Sequence, residues 1–192
     1  MKGKKRLLFL WFVPVVIIMF FGLPWLLINL GIQAMPDPLK PKVARGEFPI
    51  RLEYEIDGQI VVIDDILLCE YDGFGANEGN GKYRKWKKSL SDGREHITLL
   101  EHENAIPIRE WKSDEIAIYQ EIFFNPGAAG YYMGDTEQIK TNSVAFPDAS
   151  YFEKYEDGST MSGTIAAEEL YDTFAIKLLD WACAQPIKNE FS

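Results

Sequence analysis

The stretch FPIRLEYEIDGQIVVIDDILLCEY, Phe48–Tyr71, alternates apolar and charged side chains and then turns back on itself. Ile50, Leu52, Tyr54 and Ile56 fall on one side, and Arg51, Glu53 and Glu55 on the other, which is the two-residue period of a half-buried strand. Asp57-Gly58 supplies the left-handed backbone that a two-residue hairpin requires, and QIVVIDDILLCEY returns as the partner strand. Further strands are expected at His96–Glu101 (HITLLE), Glu115–Phe124 (EIAIYQEIFF) and Ser150–Tyr155 (SYFEKY). Asp92-Gly93, the loop NPGAAGYYMGD and Asp157-Gly158 punctuate them.

Two short helices fit between and after these strands. In KYRKWKKSL, Lys82–Leu90, the apolar residues Tyr83, Trp86 and Leu90 recur at i, i+3 and i+7, with basic residues around them. TIAAEELYDTF, Thr164–Phe174, opens on Thr164 as an N-cap and sets Glu168 and Glu169 near the positive end of the helix dipole. The following AIKLLDWAC reads as a final strand rather than more helix, because Thr173, Phe174 and Ile176 weaken helix propensity and the apolar run is short.

Ahead of the hairpin lies LLFLWFVPVVIIMFFGLPWLLINL, Leu7–Leu30, with no charged side chain, directly behind the basic start MKGKKR. A helix of this length reaches roughly 36 Å, enough to cross a hydrocarbon core of about 30 Å with some tilt. Lys2, Lys4, Lys5 and Arg6 place the N-terminus in the cytoplasm and the rest of the chain outside. Trp11 and Trp25 stand towards opposite ends of the run, as interfacial anchors do, while Pro14, Gly22 and Pro24 introduce kinks. The competing reading is a cleaved signal peptide, which fits less well. Such an apolar region spans about 7–15 residues before small residues, whereas the one candidate site, after Ala34, has Ile32 two positions earlier.

The expected fold is therefore α+β: one N-terminal transmembrane helix followed by a single domain with a mainly antiparallel sheet and two short helices. Residues 1–6 form the cytoplasmic basic N-terminus, 7–30 the transmembrane helix, 31–47 a Pro-rich tether containing MPDPLKPK, and 48–192 the extracytoplasmic domain. Beyond the four basic residues at the start, 16 Lys and Arg face 29 Asp and Glu, a net charge of −13. Nucleic acid is excluded as a partner by that balance, since phosphate neutralisation needs a basic face. No cofactor is expected.

Several clusters invite chemistry. Lys82, Arg84, Lys85, Lys87 and Lys88 crowd into seven positions of an acidic domain, which predicts a patch for an anionic envelope component or membrane protein, or a solvated helix face pairing internally with carboxylates. The glycine-rich loop YDGFGANEGNGKY fails both nucleotide templates: its first three glycines read GxGxxxG, and Ala76 and Tyr83 stand where a Walker loop needs Gly and Ser or Thr. Asp72, Asn77, Glu78 and Asn80 in the same loop offer oxygen ligands to a cation, or simply stiffen a connection through Asx turns. His96 and His102 are too far apart along an extended strand to share a metal, and no GxSxG or HExxH occurs. Cys69 and Cys183 are the only cysteines. Outside the membrane they are free to pair across a loop of more than 100 residues, a bond for which chain entropy contributes about 4–5 kcal/mol, or to remain buried thiols.

The functional expectation is a membrane-anchored extracytoplasmic domain with a binding or envelope-interaction role, held to the membrane through Leu7–Leu30. The alternative is an anchored hydrolase using paired carboxylates, with Asp64, Asp65, Glu70 and Asp72 as candidates, since alternation sets Glu70 and Asp72 on one side. A third possibility is a subunit that stabilises a larger membrane complex through its span.

Overall fold

The computed structural model describes residues 18–108 and 116–192. The chain falls into two compact units, one of Met1–Lys40 with Asp72–Lys85 and one of Pro41–Tyr71 with Trp86–Ser192.

In the first unit a π-helical turn, Ile18–Gly22, leads into helix α1, Leu23–Ala34. Pro24 lies in the first turn of α1, where its missing N–H costs nothing, and the wide turn before it accommodates the ring that would otherwise collide with a preceding carbonyl. No helix among the described residues is long and apolar enough to cross a membrane, and residues 7–17 of the expected span lie outside them. The unit also holds residues 35–40, where Asp37 meets Lys82 at 2.8 Å and the Leu39 carbonyl accepts from Arg84 at 3.3 Å.

Beyond α1 the described residues are mainly antiparallel sheet with a few short helices. The strands are β1 (Arg45–Ile56), β2 (Gln59–Asn77), β3 (Gly81–Ser89), β4 (Ile97–His102), β5 (Ala117–Phe124), β6 (Ala149–Tyr155), β7 (Thr160–Ile165) and β8 (Ile176–Cys183). The helices are α2 (Ala129–Tyr132) and α3 (Ala167–Phe174). The strands form a first sheet in the order β3-β2-β1-β8 and a second in the order β4-β5-β6-β7. The hairpin read from Phe48–Tyr71 is present: β1 pairs with β2 from Arg45↔Glu70 to Ile56↔Gln59, and Asp57 and Gly58 take positive φ in the turn. One core joins both sheets. Leu52, Tyr54 and Leu67 from the first meet Ile97, Ile122, Phe124 and Tyr151 from the second, with Leu170 of α3 and Ile176 of β8.

Three expectations need correction. Lys82–Leu90 is not a helix: Gly81–Ser89 is strand β3. Burial there alternates, with Arg84 covered and Lys85 and Lys87 exposed, the period of a strand. A helix of that length is marginal by itself, whereas β2 offers a ready ladder of backbone partners. Thr164 is not the N-cap, since it lies within β7; α3 begins after Ala166, and the Asp148 carboxylate accepts from the Ala167 N–H at 3.0 Å, so a cap comes from a distant loop. The tether is shorter and less free than expected. β1 starts at Arg45, and Pro41–Val43 is already tied to the C-terminal segment through a Pro41↔Phe191 bridge and an Asn189 side chain that both donates to and accepts from Val43. By contrast, the final strand and the acidic first turn of α3 stand as expected.

Candidate functional site

The basic residues of β3 do not form one surface. On a strand, Lys82, Arg84 and Lys88 project to one side and Lys85 and Lys87 to the other, and most are engaged. Lys82 meets Asp37, Lys85 meets Asp72 at 2.7 Å, and Lys88 donates to Asn125 Oδ1 and to the Gly127 carbonyl at 2.9 Å. Asp72 holds the Lys85 ammonium pKa above its ordinary value, chiefly through their hydrogen bond. Burial pulls that of Lys88 down, opposed by the charges of Glu95 and Cys69. Lys87 projects from an exposed position.

Two of the four expected cation ligands are engaged: Asp72 by Lys85, and Asn77, whose Oδ1 accepts from the Asn80 N–H at 2.7 Å to close the turn. Among the described residues no group of three His, Cys, Asp or Glu is placed to hold a metal. The carboxylate row on β2 is a set of surface contacts. Asp64 pairs with Arg51 at 3.1 Å and Glu70 with Arg45 at 3.4 Å, while Asp65 accepts from the Ile66 and Ser91 N–H groups. Cys69 and Cys183 are free thiols. They flank β1 on opposite sides, Cys69 beside Gly46 and Cys183 beside Ile50, an offset of roughly 13 Å along the strand where a disulfide tolerates about 7 Å between Cα atoms. Burial pushes the Cys69 thiol up to about 12, against a smaller opposing effect of Lys88, which leaves it an inert core group.

Polar chemistry concentrates instead on the outer face of the second sheet. β4 carries a bulge: its register with β5 shifts between Thr98 and Leu100, so Thr98 lies opposite Phe123 and Glu101 lies opposite Glu121. The extra residue, Leu99, turns into the core. That single insertion lets Thr98 and Glu101, three apart in sequence, share one face. Continuing across the sheet, Glu121 is opposite Phe152 and Phe152 is opposite Ser162, while Phe123 is opposite Ser150 and Tyr119 opposite Lys154. Glu101, Glu121, Phe152 and Ser162 thus form one row over four strands.

Glu121 is the hub of this face. Its Oε1 lies 2.8 Å from His96 Nε2 and accepts from Thr98 Oγ1 at 2.7 Å. The Tyr119 hydroxyl donates to Glu101 Oε1 at 3.3 Å, and burial, with the charges of Glu121 and Glu101 behind it, raises the Tyr119 phenol to about 12. His96 stacks on Phe123 with ring centroids 4.1 Å apart, and Tyr119 packs beside Phe152 at 6.4 Å. Arg94, bonded to Asp92, lies close enough to both glutamates for their charges to reinforce its own. The inner side of the same strands holds a different carboxylate. Glu153, fully buried, accepts from the Ile108 N–H at 2.9 Å, the Gln120 amide at 2.8 Å and the Tyr155 hydroxyl at 2.8 Å, and so fastens the loop after β4 to the core.

The chain matches no family model, no curated protein and no solved structure. The side chains alone bear on function. Of this site only His96 attracts attention in the sequence. Glu101, Tyr119, Glu121 and Phe152 are unremarkable until the bulge and the cross-strand register bring them together, and no local signal in HITLLE announces that bulge.

Proposed function

We propose that the protein is a single-pass, membrane-anchored domain displayed outside the cell, which binds a component of the envelope through the outer face of its second sheet. The observation that carries the binding role is the row Glu101, Glu121, Phe152 and Ser162, with His96, Thr98 and Tyr119 gathered on the two carboxylates. The anchor rests on the charge-free run Leu7–Leu30 behind four basic residues. It is supported by the apolar side chains of the helical residues within it: Phe20, Phe21, Trp25 and Leu27 all stand exposed and match a lipid solvent better than water. Crosslinking in intact membranes followed by pull-down of the full chain is expected to retain an envelope component, and a mature N-terminus at Met1 or Lys2 is expected for the retained anchor. A clean pull-down would refute the binding role, and an N-terminus near Met35 would replace the anchored domain with a secreted one.

A second reading, the anchored hydrolase with paired carboxylates, gains one specific observation once the pair is moved to Glu101 and Glu121. These are directly opposed across β4 and β5, which sets their Cβ atoms about 4.5–5.5 Å apart on one face and so brings two carboxylates within reach of one substrate, the requirement of glycoside cleavage by paired carboxylates. Release of reducing ends from envelope polysaccharide, lost in both Glu101→Gln and Glu121→Gln, would establish it. Binding without release leaves the binding domain.

A further inference from the structure

We infer that the outer face of the second sheet takes an uncharged, polyhydroxylated glycan chain lying across the strands. This deepens the envelope-binding reading and rests on it. A sugar chain presents two surfaces: C–H faces that pack on aromatic rings, and hydroxyls that donate most strongly to ionised acceptors. The row supplies both in register, since Phe152 offers a ring flanked by Tyr119, the exposed Glu101 offers carboxylate oxygens at one end with the covered Glu121 beneath, and Ser162 adds a hydroxyl on the far strand. Four strands at about 4.8 Å spacing make the row roughly 14 Å long, enough for more than one sugar ring.

Charge selects among possible occupants. The chain beyond its basic start carries −13, which repels a polyanion. Locally Glu101, Glu121 and Asp92 face Arg94 and, opposite Tyr119, Lys154, which leaves the face one net negative charge, too little to hold a polycation. The first sheet makes the contrast. Its outer side sets the exposed aliphatic Ile60, Val62 and Ile66 among charges already paired with one another, such as Arg51 with Asp64 and Glu53.

Binding of the full-length protein in detergent micelles would be measured by calorimetry against whole envelopes and against envelope polysaccharide divided by anion exchange into neutral and anionic fractions, with oligolysine as the cationic probe. Saturable binding to the neutral fraction is expected. Phe152→Ala and Ser162→Arg should each weaken it about tenfold or more, while Ile60→Thr leaves it unchanged; Ser162→Arg, at an exposed position, keeps the test open if removal of the ring disturbs folding. Binding confined to the anionic fraction or to oligolysine, or neutral binding indifferent to both variants, would overturn the inference while leaving the envelope reading in place. No binding to whole envelopes would remove that reading itself.

Discussion

The outer faces of the two sheets follow the same alternation and are filled in opposite ways. On the first, Arg51 reaches Asp64 at 3.1 Å and Glu53 at 3.5 Å between exposed aliphatic residues, and Ile60 is 64% exposed. These charges meet in water, where an exposed pair contributes about 0–1 kcal/mol. On the second, Glu121 is only 9% exposed and serves several groups at once, with His96, Thr98 and Tyr119 around it. The difference teaches that charge density, which drew attention to β3 and to the acidic start of β2, is a poor guide to a site. What separates a site from a solvated face is convergence on a partly buried group, and convergence depends on register.

The sharpest way to break this comparison is to remove one carboxylate from each face. Glu121→Leu strands several donors in a covered position and is expected to cost about 2–3 kcal/mol in urea unfolding, against about 0–1 kcal/mol for Asp64→Ala. Equal losses would dissolve the distinction. A smaller effect is expected from pH. The Tyr119 phenol stands at about 12 when folded against an ordinary 10.0, so the unfolded chain gives up its proton first. The stability Tyr119 contributes is complete below pH 10 and is lost as pH rises towards 12. Thermal melts across that window should fall less steeply for Tyr119→Phe than for the parent. Cys69, raised from 9.0 to about 12, adds a decline beginning near pH 9 that both proteins share.

Double-mutant cycles refine the contrast further. The coupling between His96 and Glu121 is expected at about 1–2 kcal/mol, larger than that between Arg51 and Asp64, and only the latter should vanish in molar salt. The smallest effect belongs to the aliphatic row. Ile60→Thr, exposed on a strand and still β-branched, should change stability by no more than about 0.5 kcal/mol, read from the shift in urea midpoint.

The same reasoning separates what was legible in the amino-acid sequence from what was not. The β1–β2 hairpin was legible, because alternation and Asp57-Gly58 are local and act within a few residues. The last strand and the acidic start of α3 were legible for the same reason. β3 was misread because Tyr83, Trp86 and Leu90 satisfy a helical spacing, whereas a strand sets Tyr83 on the face opposite Trp86, and only β2 alongside decides between the two. The cap of α3 was misassigned because Asp148 arrives from another part of the chain.

Sequence alone therefore determined the apolar charge-free run, the acidic balance, the hairpin and the predominance of antiparallel strands, all of which follow from composition and from periods of two residues. Tertiary structure alone decided which side chains meet. The bulge at Leu99 shifts β4 against β5, turning Thr98 and Glu101 to the same face and setting Glu101 opposite Glu121. A one-residue slip exchanges every side chain between core and surface. Such a slip is governed by the summed packing of both sheets, which no short window of sequence contains.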